Sequence, residues 1–229
     1  VQIHDGAIKT EVVKYNKHYT EHMMTELARL WIKEFIPRVL LKYWPLETNG
    51  QPAVWAALEL REKVQPGDIE SLDIRCDEFT RFEIGSEPEK WDPQTRETAD
   101  HSLPYIFARA LVDGPINVDS FDEAMVRDPA LRPLLNKITV TTDPDIEAML
   151  PKMIIRAIAR TKDGATHEVE VINPLGHPDN PMQDSHIEAK FRAQAEPVLG
   201  AERCSAALKA WWRLGEASDL RPLIGLLDI

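Results

Sequence analysis

The chain has 229 residues, 43% of them hydrophobic and 28% charged, which suits one large domain or two small ones and excludes a disordered tail. Its net charge of −11 argues against a general nucleic-acid or anionic-membrane binder, because phosphate contacts need a basic face. No apolar run approaches the roughly 18 residues of a membrane span. A small anionic substrate stays open, provided that Lys, Arg and His are placed locally to meet it. Val1 opens a polar segment without a signal-peptide pattern or an initiator Met, so a trimmed chain or part of a longer one is expected. Cys76 and Cys204 lack CxxC spacing, so neither a disulfide framework nor a cysteine-rich metal site is indicated. A reducing cytoplasm is the expected compartment.

Residues 1–34 read as an N-terminal segment that is partly helical. Asp5-Gly6 suits a hairpin turn or irregular chain. Met23, Met24, Leu27, Leu30 and Trp31 then recur with a helical period, and Thr20 can cap them. "FIPRVLLKYWP" reads as a short apolar strand through Val39, Leu40 and Leu41, ended by Pro45. Asn49-Gly50 turns the chain, and Pro52 suits the first turn of a helix with Ala53, Val54, Ala57, Leu58 and Leu60 on its apolar stripe. Pro66-Gly67 stops it. Ile69, Leu72, Ile74 and Cys76 mark a half-buried strand.

In "WDPQTRETADHSLPYIFARALVDG", Asp92-Pro93 breaks any strand, and Thr95 or Thr98 can cap a helix that ends at Gly114. Pro104 is unfavourable inside a helix, which sets the start of the apolar part near Ser102, with Asp100 and His101 just outside. "SFDEAMVRDPALRPLLNKITV" is a helical stretch with proline breaks that leads into a strand. "KMIIRAIARTKDGATHEVEVINP" is a hairpin about Asp163-Gly164. "GHPDNPMQD" is a polar loop, and helices follow from Asp184 to the end. Strands and helices mix without a βαβ rhythm, which favours an α+β fold with a small mixed or antiparallel sheet. Neither GxGxxG nor GxxxxGK[ST] occurs.

Several residues carry two readings. In the group Arg96, Glu97, Asp100, His101 and Tyr105, a His and a Tyr at a helix start can act as acid and base, and backbone amides there favour a carboxylate. The plainer alternative is a capping box with surface ion pairs. Lys42, in an apolar run beside Tyr43 and Trp44, is either a functional lysine with a lowered pKa or one that snorkels from a strand edge. His18 and His22 are four apart, but two ligands do not complete a metal site and no HExxH occurs, so no metal is expected. His177 lies in a loop stiffened by prolines, which can hold a site or merely join domains. Trp211-Trp212 reads as core, since no basic groove accompanies it.

Three stretches go further than their spacing. "PEKWDPQTRETADHSLPYIFARALVDG" and "GHPDNPMQDSHIEAKF" resemble two signature segments of the MmgE/PrpD family, and "LKYWPLETNGQPAVWAALELRE" resembles a third, weaker one. All three stand in the family's order, over about residues 35–215. The resemblance implies a protein considerably longer than this chain, with an α+β domain between parts of a helical domain. It divides the chain into residues 1–34, an α+β domain at 35–183 and returning C-terminal helices at 184–229. It also implies a cytoplasmic lyase of the 2-methylcitrate dehydratase type that eliminates water from a hydroxy-tricarboxylate without a cofactor or an iron–sulfur cluster. Expected partners are a small carboxylate substrate, an N-terminal helical half or subunit, and a second copy in a homodimer.

Residue by residue, the resemblance implies that Tyr105, His101 and Lys42 are catalytic. Lys42, Arg96, Gln51 and His177 would bind substrate. The match departs at "ETNGQ", where Thr48 and Asn49 replace an aromatic and a His common in related sequences. That departure bears on substrate choice and on activity. It leaves cis-aconitate decarboxylation, dicarboxylate epimerisation or a non-catalytic binding role as alternatives.

Overall fold

The computed structural model describes residues 17–228, which divide after Leu40 into two compact units. In the first, α1 (Lys17–Leu30) runs into a π-helical turn at Trp31–Phe35 and a 3-10 turn at Ile36–Arg38. Thr20, the expected cap, falls inside the bounds of α1, and its side chain lies outside the described residues. The expected stripe is present, but Met23, Met24, Leu27, Leu30 and Trp31 are all exposed, at 43% to 62%. The Asp5-Gly6 turn and the side chains of His18 and His22 lie outside the described residues.

The second unit runs from Leu41. In chain order it contains α2 (Gln51–Arg61), β1 (Ile69–Cys76), α3 (Glu78–Ile84), α4 (Arg96–Asp100), α5 (Leu103–Asp113), α6 (Glu123–Val126) and α7 (Arg132–Leu135). It continues with β2 (Ile138–Thr142), α8 (Pro144–Glu147), β3 (Ile154–Thr161), β4 (Thr166–Ile172), α9 (Asp184–Leu199), α10 (Ala201–Trp211) and α11 (Arg221–Gly225). The fold is α+β. Its four strands lie in the order β2-β1-β3-β4, with β1 parallel to β2 and the other pairs antiparallel.

The strand sequences explain one covered and one open face. Leu72, Ile74 and Cys76 alternate inward on β1, opposite Ile138 and Val140 on β2 and opposite Ala159 and Ala157 on β3. The alanines leave room for a helix, and α2 packs onto β3 and β4 with its own Ala53, Ala56 and Ala57 buried. α5 packs against α2 and completes the layer. Each large aliphatic side chain buried there contributes about 1.5–3 kcal/mol. The opposite face is polar: Arg156 pairs with Asp143 and Glu170 at 2.6 Å each, and Asp73 accepts from Thr141 Oγ1 at 2.8 Å.

Local signals work as expected in most of this unit. Thr95 caps α4 and Ser102 caps α5, each accepting from the backbone amide three residues on. Pro104 sits in the first turn of α5, and Gly114 follows its end at φ +95°. The hairpin turns at Asp163-Gly164 with Gly164 at φ +85°.

Two expectations fail. "FIPRVLLKYWP" forms no strand: Ile36–Arg38 is a 3-10 turn, and Val39 and Leu41 are more than half exposed. The amides that a strand would pair are engaged otherwise. Leu41 donates to the Gly176 carbonyl at 2.9 Å, and Tyr43 and Trp44 both donate to Gln51 Oε1 at 3.0 Å. Trp211-Trp212 is also not simply core. Trp212 is 48% exposed, and its Nε1 donates to Glu188 at 2.9 Å.

Cys76 and Cys204 are both unpaired and buried. Burial pushes the Cys76 thiol up to about 12, with Asp77 adding to the shift. Alkylation by iodoacetamide at pH 8 should therefore be roughly a hundredfold slower at Cys76 in the native chain than in urea. Equal rates, read by mass spectrometry, would place Cys76 at the surface. The sign for stability follows. A thiol raised in the folded state contributes fully below its unfolded value, and that contribution is lost as pH rises toward 12.

Candidate active site

The turn from Leu41 to Gln51 is the piece that touches both other signature stretches. At one end, the Leu41 amide meets the Gly176 carbonyl in the 174–182 loop. At the other, the Glu47 amide donates to the Asp100 carbonyl at 3.1 Å. Between them, Gln51 acts from the first turn of α2. It is 1% exposed, accepts from Tyr43 and Trp44, and donates through Nε2 to the Trp44 and Leu46 carbonyls at 2.9 and 3.4 Å. A side-chain amide is suited to this, since it offers an acceptor and two donors at once. Gln51 thereby shapes the turn that presents Lys42, and its own polar atoms are spent on the backbone.

Lys42 is exposed at the start of that turn. The loop behind it is held by its own bonds: the Gly176 amide donates to the Asn180 carbonyl at 2.9 Å, and the Asp179 amide to His177 Nδ1 at 3.1 Å. The side chain of His177 is only 15% exposed, and its Nδ1 serves the loop as the acceptor of the Asp179 amide. Gly176 has φ +98° and lies against the Leu41 backbone, which leaves no room for a Cβ.

His101 stands between α4 and α5 and is half exposed. Its Nδ1 lies 2.5 Å from Asp100 Oδ1 and 3.2 Å from the Glu97 carbonyl, two acceptors. The tautomer that satisfies both carries its proton on Nδ1. Nε2 is then the ring nitrogen that keeps its lone pair. The groove beside it, about 500 Å³, is lined by Glu83, Glu87, Glu89, Glu97 and one nearly buried Lys90. An anionic substrate at His101 needs cations from outside that groove. Arg96, the first residue of α4, is exposed.

The structure places Tyr105 elsewhere. It is fully buried on α5, and its hydroxyl donates to the Ser120 carbonyl at 2.6 Å. Burial raises its pKa, opposed by Arg109, whose guanidinium lies 5.5 Å over the ring. Arg109 is itself 2% exposed and pairs with Asp113 at 2.8 Å. In this arrangement Tyr105 ties α5 to the Ser120 turn. Tyr105→Phe should cost about 1–2 kcal/mol, because the buried Ser120 carbonyl loses its donor. A urea midpoint equal to wild type would contradict that packing.

Thus Lys42, Gln51 and His177 belong to one turn-and-loop assembly, which the Glu47–Asp100 bond ties to the turn carrying His101. The residue-type pattern pointed at these groups, but Lys90 and Lys190 escaped it. Nothing in the spacing of "PEKW" or "EAKF" distinguishes either lysine from a surface one.

A mixed α+β domain with a lysine on a braced turn and an Asp–His pair at a helix junction is a domain built to present polar groups at its rim. The model of the MmgE/PrpD C-terminal domain matches residues 44–214, and the chain belongs to that family. It is 30% identical to the cis-aconitate decarboxylase of Homo sapiens over 135 residues, 59% of this chain and 28% of the relative. It is 27% identical to the 2-methylcitrate dehydratase of Escherichia coli strain K12 over 186 residues, 76% of this chain and 35% of the relative. With the 2-methylcitrate dehydratase of Cupriavidus necator the identity is 30% over 151 residues, 61% and 31% of the two chains. The chain therefore spans about a third of the length of these relatives.

Proposed function

We propose that this chain is the α+β part of a carbon–oxygen lyase that eliminates water from a small hydroxy-polycarboxylate. The observation that carries the reading is the Asp100–His101 pair, which leaves Nε2 as a base on the same tied assembly as the Lys42 cation. His101 takes the proton from the carbon next to a carboxylate. That electron pair forms the double bond, and the hydroxyl leaves as water with a proton from an acid outside this chain. Lys42 holds a substrate carboxylate, and Arg96 is placed to meet a second. Gln51 and His177 act as positioning residues, and Tyr105 ties α5 to the Ser120 turn. The remaining acid groups come from an N-terminal helical half. Two unpaired buried cysteines fit a reducing cytoplasm, and no helix among the described residues is long and apolar enough to cross a membrane.

Exposed Val198, Trp212, Leu220, Ile224 and Leu227 on the C-terminal helices support a covering partner, which we read as that helical half within a homodimer. Decarboxylation is the second reading, supported by the similarity to the human cis-aconitate decarboxylase. Both reactions begin beside a carboxylate. The test adds an N-terminal helical half to this chain and follows the ultraviolet absorbance of the new double bond from 2-methylcitrate. His101→Asn should lower turnover about a hundredfold. Unchanged turnover in that variant would remove His101 from the chemistry, and carbon dioxide release from cis-aconitate without dehydration of 2-methylcitrate would select the second reading.

A further inference from the structure

We infer that Lys190 is a second cation of the Lys42 site, and that the two ammonium groups together take one carboxylate of a small polycarboxylate. The inference rests on the reading of Lys42 as a carboxylate holder and adds a residue to it. Lys190 lies on α9, and its Nζ donates to the backbone carbonyl of Lys42. Two residues 148 positions apart thus meet, the Lys190 ammonium against the Lys42 backbone.

Three observations separate this pair from ordinary surface lysines. First, neither has an acidic partner among the described residues, although the chain carries 38 acids against 27 lysines and arginines. The acid two residues before Lys190, Glu188, is turned away to Trp212 Nε1 at 2.9 Å. Second, Lys190 is partly buried, and its ammonium is held below the ordinary lysine value by that burial and by the Lys42 charge, with no carboxylate to offset them. Two neighbouring cations without a counter-ion carry a repulsive cost that a bound anion removes. Third, the surroundings are built. Gly176 and the Leu41 amide pin the turn from one side, and Gln51 pins it from the other.

One helical turn before Lys190, His186 lines an open cleft of about 510 Å³ with Trp55, Asn173 and Asn180. Its other lining is Glu170, Val171, Ile172, Pro174 and Leu175, so it suits an apolar part of a ligand and not a further carboxylate. A purely structural role for Lys190, tying α9 to the Lys42 carbonyl, would need a donor but not a charge. This difference makes the inference testable.

The experiment maps amine arylation by trinitrobenzenesulfonate, in which the amine displaces sulfite from the ring, along the full chain by mass spectrometry, with and without citrate as the probe. Citrate should slow arylation of both Lys42 and Lys190 by about tenfold, while Lys162 and Lys209 react unchanged. Lys190→Met should abolish the protection of Lys42, Lys190→Gln should do the same although it keeps a donor, and Lys190→Arg should restore it. Protection of Lys42 alone, or protection that survives in Lys190→Met or Lys190→Gln, overturns the inference and leaves the Lys42 reading standing. Absence of protection at both lysines overturns both. Each variant is first compared with wild type by urea unfolding. A Lys190→Arg chain that is as stable as wild type and still leaves Lys42 unprotected also overturns the inference.

Discussion

Gly176→Ala should destabilise the second unit by about 3–4 kcal/mol, more than most single substitutions. The backbone there has φ +98°, a conformation that side chains other than glycine rarely adopt. The added Cβ would stand 2.0 Å from the Leu41 carbonyl oxygen and 2.9 Å from the Met182 methyl. Met182 is flexible and can move. The Leu41 oxygen is backbone and can move only if the turn carrying Lys42 moves with it. The substitution should therefore show two linked losses: a lower urea midpoint and a weaker response of Lys42 to citrate. Gly114→Ala and Gly164→Ala are the controls, since both have positive φ but open space around the new Cβ. Each should lose only about 1 kcal/mol. A Gly176→Ala midpoint no lower than theirs would mean that the loop does not rest on Leu41.

Gln51→Glu should cost about 3 kcal/mol near neutral pH, although it changes one atom for another of similar size. The wild-type amide meets two N–H donors with its oxygen and two carbonyls with its nitrogen. A carboxylate keeps the first pair and sets an oxygen against the second, while burying a charge. The sign of the pH dependence follows from that. Burial and the facing carbonyls raise the new carboxyl above its unfolded value. The variant therefore binds more protons when folded than when unfolded between those two values. Its stability relative to wild type falls as pH rises through that window and recovers on the acid side. Gln51→Leu removes the bonds without adding charge, and its deficit should be independent of pH. If Gln51→Glu instead loses stability equally at all pH, the carboxylate is not where the amide was.

Both predictions concern the same turn, and it is where reading the sequence worked least well. "FIPRVLLKYWP" has the composition of a strand, and an apolar run cannot reveal that its amides will be taken by a glutamine and a glycine carbonyl from two other places. Elsewhere local rules sufficed. Thr95, Ser102, Pro104 and Gly114 bound their helices by interactions within four residues, and Asp163-Gly164 turns a hairpin whose arms differ in pattern from any helix. The identity of the site was legible only in part, and through resemblance more than through spacing. His101 emerged at a helix junction with Asp100 beside it. Tyr105, three residues into the next helix, faces the core, because residues along a helix turn to different sides and the apolar side of α5 includes position 105. Lys190 carried no local signal at all.

The amino-acid sequence by itself determined the caps, the hairpin turn, the inward alternation of β1, the α+β class and the family. These depend on interactions among near neighbours, or on segments long enough to match as text. Only the tertiary structure decided that the Lys42 turn is not a strand, that Tyr105 is buried with its hydroxyl on the Ser120 carbonyl, and that Lys190 meets the Lys42 carbonyl across 148 positions of chain. Those outcomes hang on which distant donor reaches which carbonyl, a choice set by packing of the whole unit and written in no single stretch of it.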